Sequence, residues 1–342
     1  MIGVNDTGGT ASSAASGSAV REGVLTVPGS LPLHFGGQLD NVQIAWRLVG
    51  TTGPVVAALG GISAGRYVTG SDPKGWWADV VGPGGALDSK RYRVLGFDFL
   101  GGSGETTGPR AREQGFPSIS SFDQAEVLRR LIDFLGIHQL HAIVGASYGA
   151  MVALAFAQRS PNRVKRIVAI SGADRTHPMS TAWRSVQRAM VRYAIAKGDG
   201  PEGLRLARAL AMATYRSSQE FAARFAEKAK QVDGRFQFPV ESYLLSRGDA
   251  YAASYVPEAF VCLSESIDLH EVDATQIRVP VTLVAVREDQ IVPLSDMQLL
   301  NEKLGANGTL VELSSLYGHD AFLKEIAALR QVFTALEEGG RS

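Results

Sequence analysis

The sequence predicts an α/β protein: a mostly parallel sheet covered by helices on both faces and interrupted by a helical lid. Three observations carry this. Short apolar runs alternate with amphipathic helical runs through the first half, the rhythm of parallel strands joined by crossover helices. One of these runs ends in Gly145-Ala146-Ser147-Tyr148-Gly149 and passes straight into a helix-forming stretch. Over residues 174–271 the strand signal disappears, and it returns afterwards.

Taken in order, residues 1–20 are rich in Gly, Ser, Ala and Thr. They lack a basic segment followed by an apolar one, so a disordered tail is expected rather than a signal peptide. Segments 31–35 and 42–49 read as an antiparallel pair joined through Gly36-Gly37. Val55–Leu59 is a continuous apolar strand, and 92–97 is the next. In 122–135, Phe122, Ala125, Val127, Leu128, Leu131, Ile132 and Leu135 recur at helical spacing, with Gly136 placed to end the helix. Then come the strand before Ser147, a helix over 151–158, and a strand over 164–170. The region 174–271 carries mainly helical patterns, such as 204–214 and 220–231. Val281–Val286 and 309–313 are the last strands, and a helix over 320–336 closes the chain. The organisation expected is a core in two parts, 21–173 and 272–342, with a lid over 174–271.

A length of 342 residues exceeds the ~100–200 of a typical domain, as fits an α/β unit carrying an insertion. Lys plus Arg and Asp plus Glu both number 34. That balance gives no basic surface for nucleic acid or for an anionic membrane. No apolar run approaches the ~20 residues of a membrane span. Cys262 is the single cysteine, so no internal disulfide can form, which fits a reducing, cytoplasmic setting.

A Gly-x-Ser-x-Gly between strand and helix is the context of a nucleophile elbow, whereas the same five residues elsewhere are a plain turn. Small neighbours are needed where the backbone crowds, and the N–H of Tyr148 then faces any oxyanion formed on Ser147. An activated serine needs a base, and the base needs an orienting acid. Of the six histidines, His34, His138, His141, His177, His270 and His319, the last is best placed, in a Gly-containing loop after the final strand. Asp289 and Glu288 both follow Val281–Val286, and the fit of an Asx side chain to a tight turn favours Asp289. The chain order Ser147, Asp289, His319 is that of an α/β-hydrolase. A second oxyanion donor is expected from the loop after Val55–Leu59, near Leu59 or Gly60.

Further segments carry a resemblance. These are Gly75-Trp76-Trp77 with Val81-Gly82-Pro83-Gly84, Leu100-Gly101-Gly102 with Thr107-Gly108-Pro109, Phe116-Pro117-Ser118-Ile119, Val240-Glu241-Ser242-Tyr243-Leu244 and Gly318-His319-Asp320-Ala321-Phe322-Leu323. With the elbow, and in this order, they resemble the homoserine O-acyltransferases of the α/β-hydrolase fold, acyl-CoA-dependent enzymes that open methionine biosynthesis. Several separated motifs are more specific than one elbow.

The resemblance implies ping-pong transfer of an acyl group from acyl-CoA to L-homoserine through an acyl-serine, with acyl-CoA a co-substrate and no other cofactor. It implies that Asp320 receives the homoserine ammonium and that Arg208, with Arg216 as the alternative, receives its carboxylate. It also implies a homodimer built through the lid. Two stretches differ from the family pattern: Ala57-Ala58-Leu59-Gly60-Gly61, where relatives carry His-x-Leu-Thr-Gly, and Ala182-Trp183-Arg184-Ser185, where acetyl-transferring relatives read Ala-Trp-Asn-Glu. Arg184 therefore points to succinyl-CoA as donor, since a buried succinyl carboxylate needs a cation. Acetyl-CoA as donor, L-serine as acceptor and water as acceptor are the competing readings.

Overall fold

The computed structural model describes residues 19–71, 73–110 and 115–338. Its centre is an eight-stranded sheet: β1 (Val20–Thr26), β2 (Gln43–Val49), β3 (Val55–Leu59), β4 (Arg93–Phe97), β5 (Ala142–Ala146), β6 (Ile167–Ile170), β7 (Val281–Val286) and β8 (Gly308–Leu313). The spatial order is β1-β2-β4-β3-β5-β6-β7-β8. β2 pairs antiparallel with both β1 and β4, and every later pairing is parallel.

Residues of β3, β5 and β6 are buried along their whole length, because crossover helices cover both faces of the sheet. Side chains alternate between two cores. Ile143 joins Leu128, Leu131 and Phe156 of helices α1 (Ser121–Phe134) and α2 (Tyr148–Arg159). Val144 and Ala146 join Trp77 and Phe333, the latter on the C-terminal helix. α1 starts where it does because Ser120 and Asp123 form a reciprocal capping box.

Between β6 and β7 lie the helices α3 (Pro178–Ala196), α4 (Gly200–Tyr215), α5 (Ser218–Arg224), α6 (Pro239–Ala252) and α7 (Pro257–Asp268). After β7 come α8 (Leu294–Leu304) and, last, α9 (Ile326–Glu338). Among the described residues no helix is long and apolar enough to cross a membrane.

Four expectations need correction. Most of the expected 1–20 tail lies outside the described residues, but Val20 already belongs to β1. The partner of 42–49 is β1, not 31–35; Ser30–Pro32 instead closes a small hairpin with Gln38–Asp40 through Gly36-Gly37. The helix expected over 220–231 stops at Arg224, and Lys230–Val232 pairs with Arg235–Gln237. Asp233-Gly234, both at positive φ, supply the two-residue turn that this hairpin needs. Finally, 320–336 is not one helix: a 3₁₀ segment, Gly318–Leu323, precedes α9. Tertiary bonds compete there with helix continuation. The Phe322 carbonyl accepts from Trp77 Nε1 at 2.8 Å, and Glu325 accepts from Ser315 Oγ at 2.7 Å.

Candidate active site

Ser147 sits between β5 and α2 at φ 55°, a conformation unfavourable for a residue with a Cβ. Backbone crowding holds it there. A Cβ on Gly145 would lie 2.2 Å from the Gly149 carbonyl oxygen, and one on Gly149 would lie 2.3 Å from that of Leu59. The Gly149 N–H donates to Gly60 O at 2.9 Å, which ties the elbow to the loop after β3. Tyr148 opens α2, so its N–H is one of those a helix leaves without an internal partner.

The structure brings Ser147, His319 and Asp289 into one hydrogen-bonded chain. His319 Nε2 is 2.8 Å from Ser147 Oγ, and Nδ1 is 2.8 Å from Asp289 Oδ2. A carboxylate only accepts, so Nδ1–H donates to Asp289 and Nε2 is left to accept from the serine hydroxyl. Asp289 Oδ1 takes the backbone N–H groups of Ile291 and Val292, which aims its other oxygen at the imidazole. Burial alone would push the His319 pKa down. The charge and hydrogen bond of Asp289, helped by Asp320, outweigh burial and an opposing effect of Arg184, and hold it above the ordinary value.

Glu288, the alternative acid, points elsewhere. Its carboxylate accepts from Ser314 Oγ and from the Ser315 N–H, so it anchors the loop that carries His319. Nothing in its sequence position announces that role, which depends on a strand neighbour. Other histidines are structural: His141 bonds the Leu336 carbonyl, His177 caps α3, and His270 bonds Ser121 Oγ and the Ala173 carbonyl. Burial lowers the His270 pKa to about 4.

Two cavities meet at Ser147 and His319. One is a narrow chamber of about 40 Å³, with Trp183, Arg184 and Gln187 on its wall. The other is an open cleft of about 180 Å³, lined by Gly61, Ile62, Arg208, Tyr215 and Asp320 as well. The loop expected to supply the second oxyanion donor borders this cleft. Leu59 and Gly60 are buried in and just after β3, and the backbone facing the cleft is Gly61–Ala64.

Arg208 and Asp320 share the cleft. The Arg208 guanidinium lies over the rings of Tyr251 and Tyr215, at 4.8 and 5.4 Å from their centroids, and no carboxylate pairs with it among the described residues. Arg216, the alternative, is engaged: it pairs with Asp320 at 3.1 Å and with Glu220 at 3.3 Å. Arg184 lies on the chamber side, largely buried and paired with Asp268.

The family described as the alpha/beta hydrolase fold matches residues 54–326. Over 309 residues the chain is 42% identical to a homoserine O-succinyltransferase of Xanthomonas campestris pv. campestris, covering 89% of this chain and 81% of that protein. It is 33% identical to a homoserine O-acetyltransferase of Symbiobacterium thermophilum, over 90% of this chain and 92% of that one. Among solved structures, the homoserine O-acetyltransferase of Bacillus anthracis matches with a TM-score of 0.84 at 19% identity, covering 95% of this chain and 99% of that chain. At that identity the likeness speaks for the fold.

Proposed function

This chain belongs to the homoserine O-acyltransferases of the α/β-hydrolase fold, and from that premise we propose that it transfers a succinyl group from succinyl-CoA to the hydroxyl of L-homoserine. The observation that carries this reading is the placement of Ser147 and His319 between two differently charged cavities. The chamber offers Arg184 to an acyl group, and the cleft offers Asp320 and Arg208 to a zwitterion.

Ser147 Oγ attacks the thioester carbonyl and gives its proton to His319 Nε2. The N–H of Tyr148 and a backbone N–H of the loop that begins at Leu59-Gly60 stabilise the oxyanion. Collapse breaks the C–S bond, and the thiolate leaves with the proton from His319 as CoA. The homoserine hydroxyl then loses its proton to His319 and attacks the acyl-serine. Ser147 leaves and recovers that proton. Protons and electron pairs balance without a further cofactor. Asp320 and Arg208 hold the acceptor's ammonium and carboxylate, so only an amino acid is drawn to the acylated serine. Arg184 neutralises the distal carboxylate of the succinyl group, and the similarity to a succinyl-transferring relative supports that donor.

The working unit in this reading is a homodimer in the cytoplasm. Met179, Ala182, Val186, Ala189 and Tyr193 form an exposed apolar stripe along α3 at intervals of three and four residues. That stripe is nearly symmetric about Val186, so two antiparallel copies of α3 can cover each other about a two-fold axis. Mass spectrometry of products, with homoserine, serine and water offered as acceptors, tests the reading. O-succinylhomoserine is expected as the main product, and free succinate as the main product would replace transfer with hydrolysis.

A further inference from the structure

Asp268 ends α7 and is the only carboxylate that the pair Arg184 and Arg188 shares among the described residues. Arg184 Nε donates to Oδ1 at 2.8 Å, Thr181 Oγ1 donates to the same oxygen at 2.9 Å, and Arg188 Nη1 donates to Oδ2. Side-chain exposure is 11% for each arginine and 9% for the aspartate. Two largely buried cations on one anion leave a positive charge, which is unfavourable until a further anion meets it. Arg184 Nη2 lies 2.7 Å from Oδ1, yet its N–H groups are not aligned on that oxygen. Donors on Arg184 therefore remain unused.

Gln187 is three residues further along α3, on the same side of the helix. It is 4% exposed, and no hydrogen bond to another described residue holds its amide, which keeps its remaining exposure where the side chain lines a cavity. Gln187 and Arg184 both line the chamber that holds Ser147. The other charged or titratable groups on its wall are Arg175, His177, Tyr215, Asp296 and His319.

Resting on the succinyl-transfer reading above, we propose that Gln187 and Arg184 together anchor the distal carboxylate of the acyl group, and that Gln187 is a specificity-determining residue for ω-carboxyacyl donors. The Gln187 amide N–H and the free Arg184 N–H groups donate to that carboxylate. The ligand supplies the negative charge that the Arg184–Asp268–Arg188 trio lacks. Neutral acyl groups of the same length leave both the charge and the amide unsatisfied.

The test compares kcat/KM for succinyl-CoA with that for butyryl-CoA, which has the same number of acyl carbons and no terminal carboxylate. It is run at saturating homoserine on the wild type, Gln187→Met and Gln187→Glu. Met and Glu match Gln in length and helix propensity, so α3 is preserved. A ratio taken within one variant is independent of the fraction folded. The wild type is expected to favour succinyl-CoA. Gln187→Met should lower the succinyl-to-butyryl ratio roughly tenfold or more, the loss expected for a hydrogen bond to a charged group. Gln187→Glu should lower it further, by setting carboxylate against carboxylate. A wild-type preference for succinyl-CoA with the ratio unchanged in both variants overturns this assignment alone. A wild type that uses butyryl-CoA or acetyl-CoA as well as succinyl-CoA overturns it together with the donor reading beneath it.

Discussion

The elbow and the lid hold their functional groups by opposite means. At the elbow, β5 is buried throughout, and Gly145 and Gly149 pack against backbone atoms closely enough to exclude any side chain. Sterics there leave Ser147 one conformation. The lid helices expose much of their surface and are ordered by charge: Arg184 and Arg188 on Asp268, Arg216 on Glu220 and Asp320, and Arg208 between two tyrosine rings. The comparison teaches that packing places the nucleophile, while exchangeable charges choose what reaches it. Substitutions at the elbow should therefore stop the chemistry, and those in the lid should redirect it.

The largest effect should come from Ser147→Ala. Removing the nucleophile is expected to lower turnover by about 10⁶-fold and to abolish the acyl-enzyme seen by intact mass. A variant that still gains one acyl group would move the nucleophile elsewhere.

Asp289→Asn should follow, with roughly a 10⁴-fold loss in both half-reactions, because His319 loses the partner that fixes its tautomer. Its pH profile sharpens the point. His319 must be neutral to accept a proton, and its pKa is held above the ordinary value, so acylation is lost as pH falls through that pKa. Without the Asp289 charge burial prevails, and the residual activity should keep its acid limb to lower pH. The same raised pKa acts on stability with the opposite sense. Its contribution is complete below the unfolded value of about 6.5 and is lost as pH rises through the folded one. An acid limb that stays in place would remove Asp289 as the origin of the shift.

Arg208→Ala should act on the acceptor half only. The homoserine kcat/KM is expected to fall by roughly 10²-fold, the scale for truncating one partner of a hydrogen-bonded charge pair. The first release of CoA, read in a stopped-flow burst, should be far less affected. Equal damage to burst and acceptor use would erase the separation between core and lid.

The smallest catalytic effect belongs to Val186→Asp. Placing a charge at the centre of the α3 stripe should shift the protein toward monomer in light scattering, with activity reduced no more than severalfold. A monodisperse dimer in that variant would place the interface on another face.

How far each region was legible follows from the same contrast. The strand, Gly-x-Ser-x-Gly turn and helix at 140–159 are local, so the residue types alone imply the geometry. Asp289 and His319 were legible from their place after strands. β1 was missed because an edge strand with Val24 and Glu22 both exposed lacks a clean alternation. The break before α9 was not legible, since it depends on a bond between Trp77 and Phe322 across the chain. Asp233-Gly234 did signal its hairpin, but the Ala- and Glu-rich stretch before it reads as helix. In the lid, Arg208 and Arg184 could be named as residues, whereas a lone Gln187 in a helix looks like any solvated polar side chain. Only the fold, which sets it beside Arg184 on the wall of the chamber at Ser147, gives its position meaning.

The central claim is that Ser147 carries an acyl group between a carboxylate-selective chamber and an amino-acid-selective cleft. The direct measurement is intact mass of the protein after mixing with succinyl-CoA alone, followed by addition of L-homoserine. The account predicts a gain of one succinyl group, located on Ser147 by peptide mapping, that persists without acceptor and discharges to O-succinylhomoserine when homoserine is added. Product formed with no acyl-enzyme at any time, or an acyl-enzyme that discharges to water equally fast with and without homoserine, would contradict it.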